Sequence, residues 1–300
     1  MSDPVEVFDR RSVRRHRDRA AALLDHHDFL LREVAERLAD RLLDVSRRFP
    51  VALDLGCHRG EMAETLVGHG GIETLVQCDL SEAMARRTAG LAVVADEEWL
   101  PFAPASFDLV ISALSLHWVN DLPGALVQIR RVLKPDGLFL AAMLGGETLK
   151  ELRRAWLEAE LAEEDGAGPR VSPFVELRDA GALLQRAGFA LPVADSDTIG
   201  VTYGDPMRLM ADLRGMGESN AVAQRRKAFT RRATLLRALS LYEDLFANGD
   251  GRLPATFQVI TLTGWVPHPS QQQPLRPGNA QVNLADGLDF PHDARPPKLP

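Results

Sequence analysis

The sequence predicts an α/β fold built on a doubly wound, mainly parallel sheet. Three observations carry that expectation. Short apolar runs end abruptly at Gly or Asp, as buried parallel strands do. Segments of helical period alternate with them. Carboxylates and glycines gather just past the ends of the runs, where an open α/β sheet binds its ligands.

The elements follow in order. Residues 8–48 have a helical period, with Leu23, Leu24, Leu30, Leu31, Val34, Leu38, Leu42 and Val45 separated by Arg, Asp and Glu. Val51–Leu55 is a first strand, ending at Gly56, and 61–67 a helix. A second strand, 74–77, leads to Asp79, and Ser81 can cap a helix over 82–88. Residues 91–95 and Phe107–Ala113 are the third and fourth strands. A helix over 122–133 stops at Pro135-Asp136-Gly137, and 138–143 is the fifth strand. Then come a long amphipathic helix over 148–164, a helix over 179–187 and a sixth strand near 193–201. Residues 205–247 read as mainly helical with a break around Gly215-Met216-Gly217, and the β-rich run 257–266 is a seventh strand.

These elements group into an N-terminal helical segment (1–48), a core (49–201 and 254–266), a helical lid insertion (202–253) and a tail (267–300) rich in Pro, Gln and Gly. Disorder is expected in that tail from about residue 290. The chain has 300 residues, 45% hydrophobic and 26% charged, with a net charge of -7. This acidic balance gives no reason to expect nucleic acid as a bulk partner. No stretch approaches the roughly 20 apolar residues of a membrane span. The first residues are no secretory signal. Arginines crowd residues 10–19 as in a transit peptide, but the interleaved acids oppose that, so a cytoplasmic location is expected. Cys57 and Cys78 make neither a disulfide framework nor a four-ligand zinc site, and read as small buried hydrophobes. No metal motif emerges.

The chemistry concentrates at four strand ends. Asp54-Leu55-Gly56-Cys57-His58-Arg59-Gly60 follows strand one. Its glycines permit a tight turn, and the next helix points backbone N–H groups at a ligand. His58 stands where the usual D-x-G-x-G-x-G pattern has its middle glycine. It is either a solvent-facing loop residue or a catalytic one. Asp79, with Leu80 beside it, ends strand two, where a carboxylate can accept from two ribose hydroxyls. Asp96-Glu97 ends strand three, in place for an adenine amino group. Ser112 and its neighbours follow strand four, beside the reacting end of a cofactor.

Taken together, Leu53-Asp54-Leu55-Gly56-Cys57, Cys78-Asp79-Leu80-Ser81, Leu100-Pro101-Phe102, Ser106-Phe107-Asp108-Leu109-Val110 and Leu133-Lys134-Pro135-Asp136-Gly137 resemble class I S-adenosylmethionine (SAM)-dependent methyltransferases. That resemblance implies a Rossmann-like, seven-stranded class I methyltransferase fold whose last strand is antiparallel. It implies SAM as cofactor, with Asp54, Gly56 and Gly60 on the methionine part, Asp79 on the ribose and Asp96 on the adenine. Further segments narrow it: 114–123, Gly146-Glu147-Thr148-Leu149, Ser172-Pro173-Phe174, Gly215-Met216-Gly217-Glu218-Ser219-Asn220 and Pro254-Ala255-Thr256-Phe257-Gln258. These are similar to the family of the mitochondrial complex I assembly factor 5, and more distantly to malonyl-acyl-carrier-protein methyltransferases. The first likeness implies an enzyme acting on a protein, a NADH dehydrogenase subunit, by methylation or arginine hydroxylation. The second implies carboxyl methylation on an acidic carrier protein. A SAM-binding assembly chaperone without catalysis is the alternative of another class.

Candidate substrate residues surround the strand ends. His117 and Trp118 follow strand four. Trp118 either stacks on a flat or cationic group or packs on the sheet. Tyr203 follows strand six, at the mouth or half-buried. Glu218, Ser219 and Asn220 lie in the break between two helices, which is either a lid with polar groups over the substrate or a plain turn. Arg225, Arg226, Lys227, Arg231, Arg232 and Arg237 sit on an expected helix, as a solvated face or a dock for an acidic partner. Trp99, Trp156 and Trp265 read as packing residues.

Overall fold

In a computed structural model, which describes residues 6–164 and 166–272, the expected strands form one seven-stranded sheet in the order β3-β2-β1-β4-β5-β7-β6. The strands are β1 (Val51–Leu55), β2 (Thr74–Asp79), β3 (Leu91–Val94), β4 (Phe107–Ala113), β5 (Leu133–Leu144), β6 (Ala190–Tyr203) and β7 (Leu253–Trp265). Strands β1 to β5 pair in parallel, and β7 runs antiparallel between β5 and β6. The order reverses at β1 and β4, which opens a crevice at their carboxyl ends.

Successive side chains of a strand point to opposite faces, and both faces here are apolar. Ala52, Leu109, Ile111, Leu138 and Leu140 join one core cluster, and Leu53, Leu55, Val110, Phe139 and Ala141 the other. Helix α2 (Phe29–Leu43) covers the first face through Leu30, Leu31, Val34, Leu38 and Leu42. Helix α5 (Leu122–Val132) covers the second through Leu126, Ile129 and Val132. Caps set helix starts at the sheet's ligand-binding edge: Ser81 Oγ accepts from Met84 N at 3.1 Å, and Asp121 Oδ1 from Gly124 N at 2.9 Å. Cys57 and Cys78 are both buried.

Several boundaries differ from the sequence reading. The helical stretch 8–48 is two helices, α1 (Arg10–Ala20) and α2, separated by a short 3₁₀ turn. Leu133 belongs to β5, not to the helix before it, because it pairs with Phe107 ahead of a register shift in β4–β5. The tertiary ladder also lengthens β6 and β7, which pair from Ala190↔Trp265 to Tyr203↔Leu253. Between them lie α8 (Pro206–Gly215) and α9 (Arg232–Phe246). Residues 223–231 are not helical, so the basic stretch lies mostly outside a helix. There the chain pairs instead with the N-terminal segment, Asp9 N donating to Ala221 O and Ala223 N to Val7 O, both at 2.8 Å. Trp99 is no packing residue: it stands 78% exposed beyond edge strand β3, whereas Trp156 is buried. The expected tail disorder falls outside the described residues.

Candidate cofactor and substrate site

Strand β1 delivers Asp54, whose carboxyl is fully buried with neither oxygen hydrogen-bonded. Burial pushes its pKa well above the ordinary value, with the negative charges of Glu61 and Asp79 adding to the effect. A buried acceptor left without a donor is costly, and the ammonium of an amino-acid ligand would satisfy it. Gly56 turns the chain at φ +74°, and a Cβ there would lie 2.1 Å from Ser115 Oγ. Gly60, at φ 104°, precedes helix α3 (Glu61–Thr65). His58 takes the left-handed conformation that the usual glycine would supply, at φ 48°. It is buried, not solvent-facing. Its N–H donates to Asp79 Oδ2 at 3.1 Å and its Nε2 lies 3.3 Å from Ala113 O.

Asp79 is fully buried at the end of β2, and its Oδ1 also accepts from Ser81 N at 2.7 Å. Leu80 packs against the small cluster of Phe8, Val13 and Trp118. Asp96 and Glu97 follow β3. Asp96 pairs with Arg10 at 2.5 Å, and Glu97 binds Arg10, Arg17 and the hydroxyl of Ser115. Ser112 is fully buried and donates its hydroxyl to Leu55 O at 2.7 Å across the β1–β4 pair. Ser115, three residues on, is the hydroxyl that faces the carboxylates. Sequence reasoning missed Ser115, Arg10 and Arg17. One signal for Arg17 is legible: Val13, Arg17, Ala20 and Ala21 fall on one helical stripe, so an arginine sits in an otherwise apolar row.

The expected substrate residues divide. His117 Nε2 lies 2.9 Å from Glu218 Oε2, and Trp118 Nε1 donates to the same oxygen at 3.0 Å. Trp118 lines the same cavity as Glu218. Its ring is buried edge-on against Phe8, with centroids 5.3 Å apart. Tyr203 is not beside these residues. It ends edge strand β6, three strands from β4 in the sheet order, or about 14 Å at the usual spacing. Its ring is buried in the core cluster that also holds Leu209 and Met216. Glu218, Ser219 and Asn220 line a cavity of about 180 Å³ with Leu149, Trp156 and Phe174. Of the basic stretch, Arg225 pairs with Asp9, and Arg226 and Arg231 with Glu164.

A fully buried glutamate, Glu97, and a half-buried one, Glu218, bind stability to pH. Burial alone would raise the pKa of Glu97, but Arg17 and then Arg10 beside it hold it below the usual 4.5. At Glu218 burial likewise opposes, and His117, Trp118 and Arg17 together outweigh it, so its pKa is lowered. A carboxyl depressed in the folded state stabilises fully above its unfolded pKa, and that contribution is lost as pH falls through the folded value. The thermal midpoint is therefore expected to hold near neutrality and to fall progressively once the pH drops below the ordinary glutamate value of 4.5, less steeply in Glu97→Gln. Calorimetry showing equal slopes for both proteins would contradict this coupling.

The comparisons with known proteins agree with this geometry. A family model described as a methyltransferase domain matches residues 53–141, which run from β1 into β5. The chain is 48% identical over 289 residues to the mitochondrial arginine-hydroxylase NDUFAF5 of Danio rerio, covering 94% of this chain and 89% of that protein. It is 37% identical over 303 residues to a malonyl-[acyl-carrier protein] O-methyltransferase of Methylovorus, covering 96% of each chain. The solved structure of the Bacillus YcgJ protein superposes with a TM-score of 0.54 at 17% identity, covering 77% of this chain and 98% of that one, a likeness of fold. The architecture is thus that of class I methyltransferases, the cofactor is SAM, and the chain belongs to the arginine-hydroxylase NDUFAF5 family within the SAM-dependent methyltransferases.

Proposed function

We propose that this enzyme modifies an arginine in a protein substrate, a subunit of NADH dehydrogenase, during assembly of complex I. The observation that carries the reading is the 48% identity to a protein named arginine-hydroxylase across 94% of the chain. That span is long enough to take in the insertion between β6 and β7. In this reading Asp54, Gly56 and Gly60 hold the methionine part of SAM, Asp79 with Leu80 the ribose, and Asp96 with Glu97 the adenine. SAM supplies, when bound, a methyl group already activated on a sulfonium.

Residues 204–252, the insertion left between the lengthened β6 and β7, act as the lid of the site. The substrate segment enters the cavity walled by Glu218, Ser219 and Asn220, with Trp156 and Phe174 as apolar sides. Glu218 receives the guanidinium there, while His117 and Trp118 hold its carboxylate in place from behind. A carrier-protein dock on the basic stretch is less well supported, since Arg225, Arg226 and Arg231 are already paired within the chain. Cytoplasmic residence belongs to the same proposal, although the NDUFAF5 relatives are described as mitochondrial. Among the described residues no helix is long and apolar enough to cross a membrane.

The test is intact-mass analysis of NADH dehydrogenase subunits from cells with the protein, without it, and with Glu218→Gln. A gain of one oxygen on a subunit means hydroxylation, and a gain of one methylene means methylation. Glu218→Gln is expected to lose most of the modification while SAM affinity stays within about threefold, because the lost charge faces the substrate. No mass change on any subunit would end the proposal.

A further inference from the structure

Helix α1 seals the crevice through Arg10 in its first turn and Arg17 in its last. Arg17 is 1% exposed, and Asp54, Asp79, Glu97 and Ser115 beneath it have no exposure at all. Its Nη1 donates to Glu97 Oε1 at 2.9 Å and lies 3.3 and 3.4 Å from the two oxygens of Asp79. Its Nη2 donates to Ser115 Oγ at 2.8 Å. Arg10, on the same face of the helix two turns earlier, closes the rim by pairing with Asp96 and donating to Trp118 O at 3.1 Å.

Asp79 makes the conflict specific. A carboxylate has about four acceptor positions. Two already take the fixed backbone N–H groups of His58 and Ser81. The guanidinium of Arg17 faces the remainder, the same positions that two ribose hydroxyls would need. We infer that Arg17 is a residue that sets cofactor affinity by exclusion: Arg17 and the ribose of SAM compete for Asp79, so the cofactor binds only when α1 withdraws from the crevice. The inference rests on the assignment of Asp79 to the ribose.

The competition reaches the substrate cavity. Helix α1 is tied to the segment that carries Glu218: His16 Nδ1 lies 3.0 Å from Ser219 O, and Arg225 binds both Asp9 and Ser12. Withdrawal of α1 therefore loosens the wall of that cavity, so cofactor entry prepares substrate entry.

Hydrogen exchange and calorimetry with SAM as the probe test this on the full chain. Saturating SAM is expected to speed amide exchange over residues 10–20 by about tenfold or more. Arg17→Gln is expected to bind SAM about tenfold more tightly, because the fraction of molecules with an open crevice no longer limits binding. Slower or unchanged exchange of those amides on SAM addition, or weaker SAM binding by Arg17→Gln, would overturn the inference, since Arg17 would then hold the cofactor instead of excluding it. Should Arg17→Gln fail to fold, the wild-type exchange result decides alone. Asp79→Ala separates the two assignments: if it binds SAM as the wild type does, the ribose assignment has failed, and with it the proposed point of competition.

Discussion

Replacing Asp79 by alanine is expected to weaken SAM binding at least about a hundredfold. Hydrogen bonds to a charged acceptor contribute roughly 1.5 to 3 kcal/mol each, and two are lost, against 1.4 kcal/mol per tenfold in affinity. The carboxylate is fully buried and held by two backbone N–H groups, so no neighbouring acid can swing into its place. The substitution also frees Arg17 from one of its carboxylates, which favours cofactor entry and keeps the loss nearer the lower end of this range. Titration calorimetry reads the affinity directly. Wild-type affinity in the variant would remove Asp79 from the site.

Trp118→Ala is expected to cost about 3 to 5 kcal/mol of folding stability, as truncation of a buried aromatic does. The ring is 2% exposed, packs edge-on to Phe8, and its N–H is one of the donors that satisfy Glu218. Removing it empties the small cluster that joins the N-terminal segment to β4's loop and to Val222. Urea unfolding measures the loss. A variant as stable as the wild type, but inactive on the protein substrate, would instead restore Trp118 to a direct role in stacking on the substrate.

The sheet was legible because its evidence is local. Val51–Leu55 and Phe107–Ala113 are apolar runs bounded by breakers, and both occupy the residues their pattern indicates. Asp54, Gly56, Asp79 and Asp96 stand out as candidates in the sequence because strand ends are where this class of sheet binds ligands. Strand β6 was read short because it is an edge strand of mixed polarity, with exposed residues such as Leu191 and Val193, and its length is set by pairing with β7. Trp99 and Tyr203 were misplaced for a related reason. Residue type indicates a wish for burial or stacking, but the strand order decides what lies nearby.

By itself the sequence determined the alternation of strands and helices, the carboxylates and glycines at the strand ends, and the family those motifs mark. Only the tertiary structure decided what those carboxylates meet. Arg17 reaches Asp79 across 62 residues and Glu97 across 80, and Glu218 reaches His117 across 101. A helical period shows which face of α1 turns inward. It does not show that a guanidinium on that face will be buried, because burying it is tolerable only where carboxylates from distant strands converge to pair with it.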